Sequence, residues 1–268
     1  MSYSIRYYII NNESYGDSIN LSDVKMKKDT ITVGNLKIKV HPHDEYISNQ
    51  LREHGYYEED FIELIQKHIK KGDLVVDIGA NIGLHTVHFS KAVGESGSVI
   101  AFEPDPMNFI LLRENIKLNN CTNVEAHNIA LGNSNETRNL YRCNRNKGKQ
   151  SFADLDKLND PIRVEVRTAK DYLSDTPALV KLDVEGAEPF VIEGLGDIRP
   201  HYIFIEFIPW QLKALDNDPE KFLHDLVEKG YELYFIHRGG RLPVEPISFT
   251  KFAEQTNGEY NILAEMVN

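Results

Sequence analysis

Cysteine is scarce: Cys121 and Cys143 are the only two in 268 residues. Both stand in polar surroundings, with no C-x-x-C and no histidine at ligand spacing, which argues against a disulfide framework or a zinc knuckle. Long apolar runs are missing too. No stretch approaches the roughly 18 apolar residues of a membrane span, and the opening MSYSIRYYII has neither the apolar core nor the small-residue cleavage site of a secretory signal. A cytoplasmic protein is expected. Basic charge is in deficit, with 41 Asp and Glu against 30 Lys and Arg and a net charge of −11. A general electrostatic grip on nucleic acid or an anionic membrane needs a basic face, so neither is expected as a partner. What is present, 41% hydrophobic and 26% charged residues, suits a soluble globular chain with a packed core.

The pattern of apolar residues divides the chain into a short front part, a long α/β body and a β-rich tail. Ser4 to Ile10 and Thr30 to Val40 alternate as short strands, the second with a turn at Gly34-Asn35. Phe61, Ile62, Leu64, Ile65 and Ile69 recur at helical spacing, between an acidic start and a basic end that suit the helix dipole. The body then alternates strand and helix. Strands are predicted at 74–78, 98–102, 124–131, 178–184 and 202–208, and helices at 82–93, 106–119 and from about Gly186. A helix at 219–229 and strands at 231–236 and 260–266 complete the chain. Continuous apolar strands alternating with amphipathic helices imply a mostly parallel sheet covered on both faces. The expected division is an N-terminal β/α extension, residues 1–56, and one main domain, residues 57–268.

The most informative run is Val75-Val76-Asp77-Ile78-Gly79-Ala80-Asn81-Ile82-Gly83. Glycines just past a buried strand allow a tight turn and a close ligand, and the helix that follows offers free N–H groups. A dinucleotide loop needs G-x-G-x-x-G, whereas Asn81 stands at the middle glycine's place. Asp77 would repel a diphosphate but suits an ammonium group. Glu103 closes the next strand, where a carboxylate can accept hydrogen bonds from both ribose hydroxyls. A nucleoside joined to an amino acid fits both ends, and S-adenosylmethionine is the expected cofactor.

With these features the sequence resembles the FkbM-type methyltransferases over roughly residues 54–208. The resemblance rests on HGYYEEDF (54–61), KKGDLVVDIGANIGLHT (70–86), VIAFEPDPMNFILLRENIKLNN (99–120), NVEAHNIALG (123–132) and VKLDVEGAEPFVIEGL (180–195). Within the last, Lys181 to Glu188 reads K-x-D-x-E-G-A-E. The resemblance implies an α/β, Rossmann-like class I methyltransferase fold, with a seven-stranded, mostly parallel sheet whose last strand is antiparallel. It implies S-adenosylmethionine as methyl donor and, for most of the family, a hydroxyl as acceptor. By position, Asp77, Gly79, Asn81 and Gly83 would line the methionine part and Glu103 the ribose. Pro104, Asn128 and Ala130 would surround the adenine, and Glu58 would lie near the methionine end.

Asp183 and Glu206 stand near the ends of two strands that the implied fold makes neighbours, about 4.8 Å apart. Carboxylates that close must share a proton, meet a cation or bind a divalent metal. Methyl transfer to a hydroxyl requires removal of its proton, by a carboxylate base or through a metal that acidifies the hydroxyl. Asp183 and then Glu206 are the candidates for either role. Each also has a plainer reading, Asp183 as a contact to the cofactor's amino group and Glu206 as the partner of Lys181. His85 is a third catalytic candidate, as a neutral imidazole facing the site, or else a half-buried helix histidine. Glu185 and Glu188 stand at a predicted helix start, where acids serve the helix dipole.

Arg138, Arg142, Arg145, Lys147 and Lys149 form a run without an acid, and the last four are candidates for docking an anionic group on the acceptor. Only Tyr141 and Phe152 are aromatic in this region, too few for a platform that stacks nucleic-acid bases. The expected activity is O-methylation of a small polar acceptor, a sugar or natural-product intermediate. N-methylation of a small amine and a non-catalytic cofactor-binding module are the alternatives.

Overall fold

A computed structural model of the protein describes residues 30–267 apart from 43, 144–145, 156–160, 238–239, 244–248 and 255–257. The expected strand at Ser4 to Ile10 lies outside these residues. The first elements are the hairpin β1 (Thr30–Val33) and β2 (Leu36–Lys39), then helices α1 (Ile47–His54) and α2 (Glu59–Gln66). The body runs β3 (Leu74–Ile78), α3 (Leu84–Val93), β4 (Ser98–Phe102), α4 (Pro106–Leu118) and β5 (Val124–His127). Next come β6 (Ala130–Leu131), β7 (Glu136–Arg142), β8 (Gln150–Ser151) and β9 (Pro161–Arg167). After them follow β10 (Leu179–Leu182), α5 (Glu188–Gly194), β11 (Tyr202–Phe207), α6 (Pro209–Ala214) and α7 (Pro219–Glu228). The tail is β12 (Tyr231–His237), β13 (Gly240–Pro243), α8 (Phe249–Ala253) and β14 (Tyr260–Met266).

The main sheet has the order β13-β12-β14-β11-β10-β3-β4-β5. Strands β5, β4, β3, β10 and β11 are mutually parallel, and β14 lies antiparallel between β11 and β12. This is the class I methyltransferase arrangement, seven strands with the last reversed, to which β13 adds an eighth at the edge. The inner parallel strands are mostly apolar because helices cover both faces, and all four residues of β10 are buried, Lys181 among them. The chain proceeds outward from β3 to β4 and β5, then returns to start β10 on the other side of β3. That reversal opens a crevice at the carboxyl ends of β3 and β10, where ligands of open α/β sheets bind.

Two expectations need correction. The strand predicted at 124–131 is two strands in different sheets. At the break, Asn128 Nδ2 donates to the carbonyls of Glu103 and Pro104, at 2.8 and 3.0 Å. The region after it, for which no strand is predicted, joins β6 in a second sheet of order β6-β9-β7-β8. In β9, Val164 and Val166 are buried while Arg163 and Glu165 are exposed, so one face is apolar and the other faces solvent. The N-terminal hairpin packs on the body. Its buried Leu36 and Ile38 join a cluster with Leu84, Val87 and Leu111. The side chains of Asn115 on α4 and Asn119 just past its end each bond both the N–H and the carbonyl of one β2 residue, Lys39 and Lys37 respectively. Helix α4 itself starts at Pro106, and the Asp105 side chain accepts from the N–H groups of Met107 and Asn108.

Candidate active site

Strands β3 and β10 pair in register up to Ile78 opposite Leu182. The next residues on each side, Gly79 and Asp183, therefore begin the crevice. Gly79 has φ 78°, and a Cβ on it would stand 1.8 Å from the Asp183 carbonyl oxygen, so only glycine passes there. Gly83, with φ 85°, brings α3 against α4, since a Cβ would meet Leu112 Cδ1 at 2.5 Å. Between them Asn81 also has positive φ, 52°, and its N–H donates to Glu103 Oε2 at 2.8 Å.

Behind this turn lies a buried charge cluster. Asp77 is fully buried, with Thr86 Oγ1 donating to its Oδ2 at 2.6 Å and Lys181 Nζ 3.6 Å from its Oδ1. The same ammonium donates to the Gly79 carbonyl at 3.3 Å and to Asp183 Oδ2 at 3.1 Å. Burial alone would lower the Lys181 pKa, but Asp183 and Asp77 together hold it above its ordinary value. Lys181 thus pairs with Asp77 and Asp183, not with Glu206 as the plainer reading had it. Asp77 lines neither of the clefts described next. Its carboxylate anchors the lysine that holds the turn and Asp183 in place.

Two open clefts meet over the turn. The first, about 600 Å³, is lined by Gly79, Asn81, Glu103, Pro104 and Ala130, with Phe102, Ile129, Leu140, Gln150 and Phe152 among its other residues. Glu103 is 4% exposed, and its Oε1 accepts from the Asp105 N–H at 2.9 Å. Burial, reinforced by Asp105, raises its pKa to about 8 against the pull of those backbone N–H groups. Asn128 shapes the loop beside this cleft without lining it, as Gly83 does from behind. The second cleft, about 1100 Å³, is lined by Tyr57, Glu58, His85, Asn81, Asp183 and Glu206, with Glu185, Lys149, Lys181 and Glu259 nearby on its wall. Gly79, Asn81, Gly148, Asp183 and Glu185 belong to both.

The second cleft concentrates acids. Carboxylate oxygens of Asp183, Glu185 and Glu206 all lie within 4.8 Å of one another, a grouping whose oxygens could hold a divalent cation. Burial first, then Asp183 and Glu185, raises the Glu206 pKa well above its ordinary value, and Glu206 hydrogen-bonds Asp183. Burial and Asp183 also raise Glu185, against a hydrogen bond from Gln211 Nε2. Glu58, a third exposed at its side chain, is raised to about 7 by burial and by Asp183. His85 Nε2 lies 3.4 Å from Glu58 Oε2. Burial, with Lys181 and His88, lowers the His85 pKa well below its ordinary value, so the imidazole is neutral at pH 7.

Glu188 has the helix-start role expected of it, accepting from the N–H groups of Val184 and Gly186 at 3.1 and 3.3 Å. Glu185 does not share it. With φ 55° its side chain turns into the cleft instead. Sequence spacing carried no signal that separates these two acids, because the difference lies in one left-handed residue. The basic run is largely engaged: Arg142 Nε pairs with Asp105 Oδ2 at 3.1 Å and Lys149 Nζ with Glu259 Oε1 at 3.4 Å. Lys149 lines the second cleft, and Arg145 lies outside the described residues.

The model of a family described as "Methyltransferase FkbM domain" matches residues 77–233, more than half of the chain. "Methyltransferase 1" of Beauveria bassiana is 30% identical over 146 residues, 46% of this chain and 58% of that protein. "Methyltransferase sdnD" of Sordaria araneosa is 26% identical over 196 residues, 59% and 73% respectively. Among solved structures, precorrin-6y C5,15-methyltransferase of Geobacter metallireducens is 17% identical with a TM-score of 0.46, covering 78% of this chain and 88% of that one. An O-methyltransferase of Bacillus cereus in complex with SAH is 13% identical with a TM-score of 0.45, covering 78% and 80%.

Proposed function

The chain belongs to the FkbM methyltransferase family, and from that premise we propose that it transfers a methyl group from S-adenosylmethionine to a hydroxyl of a small polar acceptor. The observation that carries this reading is the junction of two unlike clefts at Gly79 and Asn81. One sets a buried carboxylate of its own, Glu103, among Phe102, Ile129, Leu140 and Phe152, suited to a nucleoside whose ribose hydroxyls donate to it. The other is lined with acids, suited to an ammonium group and to a hydroxyl that must give up a proton. The donor set fits the cofactor: Gly79, Asn81 and Glu58 at the amino-acid end, Glu103 at the ribose, Pro104 and Ala130 at the base.

Bound S-adenosylmethionine supplies an electrophilic methyl group on a sulfonium. The chain's own residues must align the acceptor and take its proton. Asp183, just after β10 and held by Lys181 at 3.1 Å, is the first candidate for this role. Glu206, with its strengthened hold on a proton, is the second candidate. A divalent cation on Asp183, Glu185 and Glu206 would acidify the hydroxyl to the same end. His85, a neutral imidazole beside Glu58, can relay a proton at the edge of the cleft. Tyr46, Ile47 and Tyr57 line the same cleft. An anionic acceptor would have to displace Glu259 from Lys149 and approach several carboxylates, so a neutral hydroxylated acceptor suits the cleft better.

The test is S-adenosylhomocysteine formation across hydroxylated and amine acceptors, for the wild type, Asp183→Asn and Glu206→Gln. Loss of a general base costs about 10²- to 10⁴-fold in turnover. Asp183→Asn should lose about that much while binding S-adenosylhomocysteine as tightly as the wild type. Turnover confined to amines and indifferent to Asp183→Asn would favour N-methylation. Cofactor binding with no turnover of any acceptor would favour a binding module.

A further inference from the structure

The second sheet brings an aromatic side chain to a place that the family motifs do not account for. Phe152, directly after β8, lines the first cleft together with Glu103, Pro104 and Ala130. It is held from two directions. The guanidinium of Arg138 on β7 lies 4.6 Å from the centre of the Phe152 ring and 5.3 Å from that of Phe190 on α5. A cation between two ring faces is attracted by both, which fixes the plane of Phe152. One residue earlier, Ser151 Oγ donates to the Glu185 carbonyl at 2.9 Å, and the Ala153 N–H donates to Ser151 Oγ at 3.2 Å. The backbone on either side of Phe152 is thereby tied to the loop after β10.

We propose that Phe152 is the aromatic wall on which the cofactor's purine stacks, and that Arg138 is its positioning residue. The inference rests on the reading that a nucleoside occupies the first cleft. A lone aromatic in a polar segment is no platform for a nucleic-acid strand, but one ring suffices for one base. Every base offers a π-face, so stacking needs no hydrogen-bond pattern from the protein. A phenylalanine pinned by a guanidinium also loses little further freedom when the base arrives, which favours binding.

Calorimetric titration with S-adenosylhomocysteine and with adenosine tests this. Base stacking on an aromatic side chain corresponds to a loss of roughly 5- to 150-fold in affinity when the ring is removed. Phe152→Ala and Phe152→Leu should both weaken the two ligands within that range, by similar factors, whereas Phe152→Tyr should stay close to the wild type. Phe152→Trp should add a fluorescence signal that adenosine quenches, absent from the wild type with its single Trp210. Arg138→Met should weaken binding less than Phe152→Ala does, and Arg138→Lys should recover part of the loss. Wild-type affinity in Phe152→Leu and Phe152→Ala, or an unquenched Phe152→Trp in a protein that binds adenosine, would overturn the proposal. Failure of the wild type itself to bind either ligand would overturn the underlying cofactor reading.

Discussion

Replacing Lys181 by methionine keeps the length and apolar character of the stem and removes the ammonium that three groups share. Lys181 is 3% exposed and Asp77 not at all, so the charge left behind has no water to turn to. Removing one partner of a buried pair costs about 3–5 kcal/mol, out of a total of about 5–15 kcal/mol for a typical domain. With a urea slope of about 3 kcal/mol per molar, the unfolding midpoint should drop by about 1 M or more. The effect should depend on pH, and its sign is fixed. Burial already raises the Asp77 carboxyl above its ordinary value, while Lys181 and Thr86 hold it down. Without Lys181 the folded-state pKa rises further. Between the unfolded pKa, about 3.9, and the raised folded value, the native state binds more protons, so stability falls as pH rises. The deficit of Lys181→Met should be smallest near pH 4.5 and grow toward neutrality, by up to about 1.4 kcal/mol per pH unit. Urea unfolding followed by circular dichroism at pH 5.0 and 7.5 measures this. The double variant with Asp77→Asn should be more stable than Lys181→Met alone, since it removes the stranded charge. A deficit equal at both pH values, or a double variant no better than the single one, would show that Lys181 does not neutralise a buried Asp77 charge.

Other expectations follow from the same geometry. Gly79→Ala places a methyl 1.8 Å from a backbone carbonyl that cannot move alone; it should lower the melting temperature and abolish S-adenosylhomocysteine binding, checked by thermal melts and calorimetry. In the proposed site the ionised form of Glu103 would accept from ribose hydroxyls, and its pKa is raised to about 8. Affinity for S-adenosylhomocysteine should therefore increase as pH rises from 7 to 9, by up to roughly tenfold, and should lose that dependence in Glu103→Gln. In the ligand-free protein Glu103 and Glu188, raised to about 8 and about 7, bind protons more tightly folded than unfolded. Their joint contribution makes stability fall as pH rises from about 4.5 through 8, which melting temperatures across that range would show.

Much of the main sheet was legible because its strands are short, continuous apolar runs and its helices carry the complementary period. The glycine turn was legible as well, since Gly79 and Gly83 mark backbone that no other residue fits. Sequence spacing brought Asp183 and Glu206 to one end of the sheet once the strands were taken as neighbours. Three features were not visible in that way. The second sheet hides in charged segments such as Pro161 to Arg167, where the alternation of Val164 and Val166 with Arg163 and Glu165 is a strand signal only three or four residues long. The turn of Glu185 into the cleft depends on a single left-handed residue. The role of Asp77 depends on which way a buried carboxylate points. Its residue type suited a cofactor ammonium, and the ammonium beside it belongs to Lys181, which is distant in sequence and is brought near only by the pairing of β3 with β10.

The most direct measurement is a crystal structure of the protein with S-adenosylhomocysteine and a divalent cation. The adenosine is expected against Glu103 in the first cleft and the homocysteine crossing Gly79 and Asn81, its sulfur facing Asp183 and Glu206 in the second. Density among Asp183, Glu185 and Glu206 would decide between a metal and a carboxylate base. Nucleoside density away from Glu103, or NADH bound in the cleft by a protein that ignores S-adenosylhomocysteine, would contradict that placement.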